Sequence, residues 1–190
     1  MMSTTTVPRL LIIGTAAIAT VLAGTAQARA ASAAGTVSVQ GTSLTFRAGD
    51  DVANDVEVFS TQDPVLALTD HAAPIRLASP ARNRCTLDGA IVRCTGISSV
   101  TVELGNRNDH LHAEGFARLR ASGGSGNDTL EAGSYQEQVT FQGDGGSDVL
   151  IGGARNDRLD AGSGRNQRTE GNGGRDVCTG SDVVKISCES

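Results

Sequence analysis

The 190-residue chain has no tryptophan, a single tyrosine, Tyr135, and only four phenylalanines. A globule of this length normally fills its centre with large side chains, so the shortage excludes a thick spherical core and leaves Val, Leu and Ile to build a thin one. Exposed aromatic platforms on which bases could stack are excluded too. Lysine is almost missing, Lys185 being the only one, and the formal net charge is −5, which gives nucleic acid no basic footing. After the first thirty residues no amphipathic helical pattern of eleven residues or more can be found. The signatures H-E-x-x-H and G-x-S-x-G are missing, and no pair of cysteines has the C-x2–4-C spacing of a zinc site. His110 and His112 flank Leu111 as outward neighbours on a strand would, with zinc ligation the minor alternative, and His71 lies in the loop "TDHAAP". Nothing here forms an active site, so a non-enzymatic protein is expected.

The N-terminus, by contrast, is rich in apolar and small residues. "MMSTTTVPR" carries one positive side chain, residues 10–24 are apolar, and Ala26-Gln27-Ala28 offers small residues at the positions a signal peptidase reads. That order predicts a secretory signal peptide over 1–28, with Ala30 a second acceptable cleavage point. The apolar run is shorter than the roughly 20 residues of a membrane span. The mature chain is then expected outside the cell, with no transmembrane segment. Its 15 basic residues stand against 21 acidic ones once Arg9 is removed. In an exported chain four cysteines in two close pairs, Cys85/Cys94 and Cys178/Cys188, predict two local disulfides. By chain entropy each contributes roughly 2–3 kcal/mol.

Glycine, at 24 residues, is about twice as frequent as usual, and much of it falls in one pattern. The units "GGSGNDTLE" (123–131), "GDGGSDVLI" (143–151), "GGARNDRLD" (152–160) and "GNGGRDVCT" (171–179) repeat turn residues, a carboxylate and an apolar residue every nine positions. "LGNRNDHLH" (104–112) and "AGSYQEQVT" (132–140) are weaker copies, and "GSGRNQRTE" (162–170) has lost both the carboxylate and the apolar side chain. One apolar residue per unit cannot make a core alone, so the units must stack, as in a solenoid. The first six residues form a Gly-rich turn and the last three a short strand whose middle side chain points inward. Leu111, Leu130, Val139, Leu150, Leu159 and Cys178 are the expected core line.

Two units make one coil, so same-edge turns recur about every eighteen residues. Asp109, Asp128 and Asp148 are predicted to form one acidic column, and Glu137, Asp157 and Asp176 a second on the opposite edge. Carboxylates stacked about 4.8 Å apart repel unless a cation lies between them. Ca2+ suits such a site because it takes six to eight hard oxygens, main-chain carbonyls included, in forgiving geometry; Mg2+ demands a tighter octahedral shell.

These units resemble the glycine- and aspartate-rich nonapeptide repeats G-G-x-G-x-D-x-U-x of RTX-type (hemolysin-type) calcium-binding proteins, over residues 104–179. The layout is also similar to that of small exported actinobacterial proteins of that class. The resemblance implies an all-β, right-handed parallel β-roll or β-solenoid, with Ca2+ held in Gly/Asp-rich turns by Asp109, Asp128, Asp148, Asp157, Asp176 and Glu137. Departures from the pattern are Arg107 and Arg155 at the fourth position, and Asn166 or Gln167 where an acidic partner of Asp148 would stand.

Residues 29–103 hold no clean nonapeptide but alternate apolar residues in short strands such as "TVSVQ" (36–40) and "SVTVEL" (99–104). They are expected to form irregular early coils, with Cys85–Cys94 pinning a hairpin-like excursion and a separate β-sandwich as the alternative. Residues 180–190, tied by Cys178–Cys188, are expected to cap the last coil. Three functions follow: a secreted calcium-binding module with envelope or extracellular components as further partners, a metal-free structural or adhesive solenoid, and a polysaccharide-acting enzyme on the same scaffold.

Overall fold

The computed structural model describes residues 34–62, 64–115, 118–134 and 138–189. Strands β1 (Gly35–Gln40), β2 (Ser43–Arg47), β3 (Asp55–Gln62), β4 (Val65–Asp70), β5 (Ile75–Leu77), β6 (Cys85–Asp88) and β7 (Ile91–Thr95) precede the repeats. The strands β8 (Ser99–Glu103), β9 (His110–Glu114), β10 (Arg118–Ser125), β11 (Thr129–Ala132), β12 (Val139–Gly145) and β13 (Val149–Ile151) follow. The chain continues through β14 (Arg158–Asp160), β15 (Gln167–Glu170), β16 (Val177–Thr179) and β17 (Val183–Ile186). From β8 onward the chain alternates between two sheets, one strand in each per coil. One sheet runs β16-β14-β12-β10-β8-β2-β1-β5 and the other β17-β15-β13-β11-β9-β3-β4-β7-β6. All pairs from β8 to β17 within a sheet are parallel, so the protein is a β-solenoid.

The strands before the repeats belong to the same two sheets: β2 pairs in parallel with β8, and β3 with β9. Around them the chain doubles back in antiparallel hairpins, β1 with β2, β3 with β4, and β6 with β7. Cys85 and Cys94 face each other across the last of these and are bridged; Cys178 is bridged to Cys188. Antiparallel strands and a short helical turn at Ser79–Asn83 thus cover one end of the stack, where a bare coil would offer an edge for pairing.

Period-two alternation sends every second side chain inward. Leu111, Leu130 and Leu150 stack in one sheet, and Val102, Ala121, Phe141, Leu159 and Cys178 in the other. All are buried. The expected core residues are therefore inside, with one shift of register. Phe141, not Val139, stands beside Leu159. β12 extends as far as Gly145, so both Val139 and Phe141 point inward. Leu159→Ala should cost about 2–5 kcal/mol in urea unfolding, equally with Ca2+ or chelator, because its neighbours Phe141 and Cys178 are apolar and cannot refill the space.

Candidate metal centre

The turns between the sheets carry the aspartates. Strand register places Asp109, Asp128 and Asp148 directly above one another, since the residues that follow them, His110, Thr129 and Val149, are paired. The column continues to Asn54 below and Gln167 above. On the opposite edge Asp157 and Asp176 stack in the same way. The five aspartates are buried, each between 0 and 3 % exposed. Their carboxylates therefore do not line an outer rim, as charge alone suggests, but fold into the turns.

At four of the five, the glycine that opens the repeat makes room for this. A Cβ at Gly143 would fall 2.5 Å from Asp148 Oδ2, and one at Gly152 2.6 Å from Asp157 Oδ2. Gly123 and Gly171 are related to Asp128 and Asp176 in the same manner. Hydrogen bonds then run from coil to coil. The N–H groups of Asn54, Asp109 and Asp128 donate to Oδ1 of Asp109, Asp128 and Asp148, at 2.7, 2.8 and 2.9 Å. On the other edge Val139 donates to Asp157 Oδ1 and Asp157 to Asp176 Oδ1, both at 2.8 Å. Asp176 in turn donates to Glu189.

Each aspartate thus spends one oxygen on the neighbouring coil, and for four of them the other is left over. Among the described residues, Oδ2 of Asp109, Asp128, Asp148 and Asp176 is buried without a hydrogen-bond partner, whereas Asp157 Oδ2 accepts the Gly153 N–H at 2.7 Å. Burial pushes Asp128 and Asp148 up to about 6, with the neighbouring carboxylates adding to the shift against their hydrogen bonds. Burial likewise raises Asp109, Asp157 and Asp176 above the ordinary carboxylate value. The arginines beside the turns do not neutralise them. Arg107 is 3.5 Å from Asp51, and none of the ion pairs among the described residues includes a column aspartate.

Glu137 lies outside the described residues; the residue in register with Asp157 is Val139. Gln167 takes the position opposite Asp148, with its side-chain NH2 donating to the Gly146 carbonyl at 3.2 Å. Three participants lie outside the aspartate positions of the repeat units. Asn54 closes the first column with an amide that donates to Asp109 Oδ1 and to the Leu104 carbonyl; it holds the carboxylate position of a degenerate unit, "GDDVANDVE" (49–57), with Gly49 five residues before it and the buried Val56 two after. Glu189 sits past the last unit. The third is an asparagine line signalled by the recurring Asn-Asp dipeptide: Asn127 N–H donates to Asn108 Oδ1, and Ser147 N–H to Asn127 Oδ1, at 2.9 and 2.8 Å. It carries hydrogen bonds in the opposite sense to the aspartate column beside it.

What the turns present to a cation is oxygen, from the unpaired Oδ2 atoms and from nearby main-chain carbonyls such as those of Ala161 and Gly171. Among the described residues no three His, Cys, Asp or Glu side chains converge on one point, so any cation here would need backbone oxygens to complete its shell. Comparison with protein-family models, with curated proteins and with solved structures gave no match. The class of the protein is accordingly defined by its own geometry: a parallel β-solenoid with buried aspartate ladders in its turns.

Proposed function

We propose that the chain is an exported, non-enzymatic calcium-binding β-roll protein, in which Asp109, Asp128, Asp148, Asp157 and Asp176 supply carboxylate ligands between successive turns. The observation that carries this reading is the row of buried Oδ2 atoms without partners among the described residues. An unpaired buried carboxylate oxygen is expensive, and a divalent cation removes the expense. Hard oxygens alone, with main-chain carbonyls of the Gly-rich turns nearby, suit Ca2+ better than Zn2+ or Mg2+. Bound ions would add their binding free energy to the stability of the fold. The test is a Ca2+ titration of the purified chain by calorimetry and circular dichroism. Saturable heat with a gain of β signal is expected; a flat titration to 10 mM, far above the roughly millimolar limit of weak extracellular sites, would reject the reading.

A metal-free structural or adhesive solenoid is the second reading, favoured by Asp157, whose two oxygens both accept main-chain N–H groups. The two aspartate types separate the readings. Asp128→Asn keeps the acceptor for Asp109 N–H while removing a buried charge, so at pH 7 in chelator it should stabilise by about 1 kcal/mol and yet weaken Ca2+ binding. Asp157→Asn turns an NH2 towards one of two N–H donors and should destabilise by about 1–2 kcal/mol in chelator. Unfolding curves with and without Ca2+ check both. If Asp128→Asn leaves calcium binding intact, the ladder serves only the turns. Their burial argues against these carboxylates cleaving a polysaccharide, and a glycan screen with both variants tests that alternative.

A further inference from the structure

All three histidines of the chain come together on one outer patch of the sheet that contains β3, β9 and β11. The antiparallel register of β3 with β4 sets His71 beside Asp55, with His71 N–H donating to the Asp55 carbonyl at 2.8 Å. The parallel register of β3 with β9 sets His110 beside Asp55 and His112 beside Glu57, and β11 adds Glu131 next to His112. Two rows result, His71-Asp55-His110 and Glu57-His112-Glu131. Their in-strand neighbours Val56, Leu111 and Leu130 are buried, so these six side chains stand on the solvent side. Two contacts already exist. His110 Nδ1 is 2.9 Å from Asp55 Oδ1, and His71 Nε2 is 3.6 Å from Glu57 Oε2.

We infer that this patch binds a zinc-class divalent cation through His110, His112 and Glu57, with Asp55 as the positioning residue for His110. Residues two apart on a strand project from one face about 6.6 Å apart, and the neighbouring strand lies about 4.8 Å away, so two imidazoles and the Glu57 carboxylate can reach one ion. The His110–Asp55 contact supplies a further element. A ring that donates Nδ1–H to a carboxylate has its Nε2 lone pair free and directed outward, which is how ligating histidines are usually held. As the side chains stand, their donors do not converge. The required change is a rotation of solvent-facing side chains on a rigid sheet, between staggered rotamers. Imidazole nitrogens with one carboxylate select Zn2+ over Ca2+, which prefers oxygen alone. The patch is on the outside of the wall and the aspartate columns are inside the turns, so the two sites use different side chains.

The test uses the purified chain in saturating Ca2+, titrated with Zn2+ against a chromophoric indicator and with Co2+ for the visible absorption of four-coordinate geometry. One Zn2+ per chain is expected. His110→Ala and His112→Ala should each weaken it at least about tenfold, Asp55→Asn by about tenfold, and His71→Ala little. In the unmodified chain the ring signals of His110 and His112 should shift on Zn2+ addition while those of His71 stay in place, a readout that needs no variant to fold. Binding weaker than about 100 µM, affinity unchanged in both His110→Ala and His112→Ala, or ring shifts confined to His71 would overturn the assignment.

Discussion

Gly146→Ala is expected to destabilise the protein by about 3–5 kcal/mol, among the largest effects a single methyl group can have. Gly146 has φ of +149°, and a Cβ built on it would overlap the carbonyl oxygen of Gly126 in the coil below. Gly126 stands over the Arg107 carbonyl and Gly164 over that of Gly146 in the same way, so the methyl cannot be accommodated by moving one turn without lifting the next. Gly41→Ala is the control. It too has positive φ, +60°, but nothing lies within 4 Å of its Cβ direction, and it should lose only the backbone term of about 1–2 kcal/mol. Urea unfolding of both variants measures the difference. Equal losses would mean that the coils are not stacked carbonyl against glycine.

That close stacking explains which parts of the structure are legible in the sequence. The nine residues from Leu150 to Leu159 are a direct consequence of one inward position per strand, and the wider spacing of Leu111, Leu130 and Leu150, like that of Asp109, Asp128 and Asp148, follows from two strands per coil. The direction of the aspartates is not carried by their spacing. A glycine five positions earlier leaves room for it at Asp128, Asp148, Asp157 and Asp176, but Asp109 folds inward with Leu104 in that place, so the glycine alone does not set it. The unit at 132–140 misleads because β12 runs on past it: in a strand of seven residues Val139 and Phe141 are equally good inward positions, and only pairing with Leu159 decides between them. The His71 patch is beyond any repeat analysis, and Asn54 is marked only by Gly49 and Val56 at repeat spacing around it. Both are created by pairings of β3, one with a strand fifty-five residues later and one with the hairpin partner it folds back upon.

In chelator, the fold should lose stability as pH rises from 4 to 6.5, the reverse of an ordinary acid-denatured protein. Asp128 and Asp148 have folded values near 6 against 3.8 when unfolded. Between those values the native state holds more protons than the unfolded chain, so stability falls as pH rises, and the loss levels off once pH has passed the folded value. Each displacement is worth at most about 3 kcal/mol. Allowing for solvent screening and for the coupling between the two, the pair should cost on the order of 3 kcal/mol, or about 10 °C in melting temperature for a chain of this size. Asp109, Asp157 and Asp176 are displaced in the same direction and steepen the fall. Calcium acts on the same groups with the opposite sign. It binds the ionised carboxylates, so its stabilisation grows over the same pH interval, reaching about 2.7 kcal/mol at a hundred times the dissociation constant for one site. Melting curves at pH 4.5, 5.5 and 6.5, with chelator and with 10 mM Ca2+, should therefore separate progressively, falling in one series and level or rising in the other. Two parallel series would remove calcium from the ladder, and a chelator series without slope would show that the buried carboxylates keep their charge at no expense to the fold.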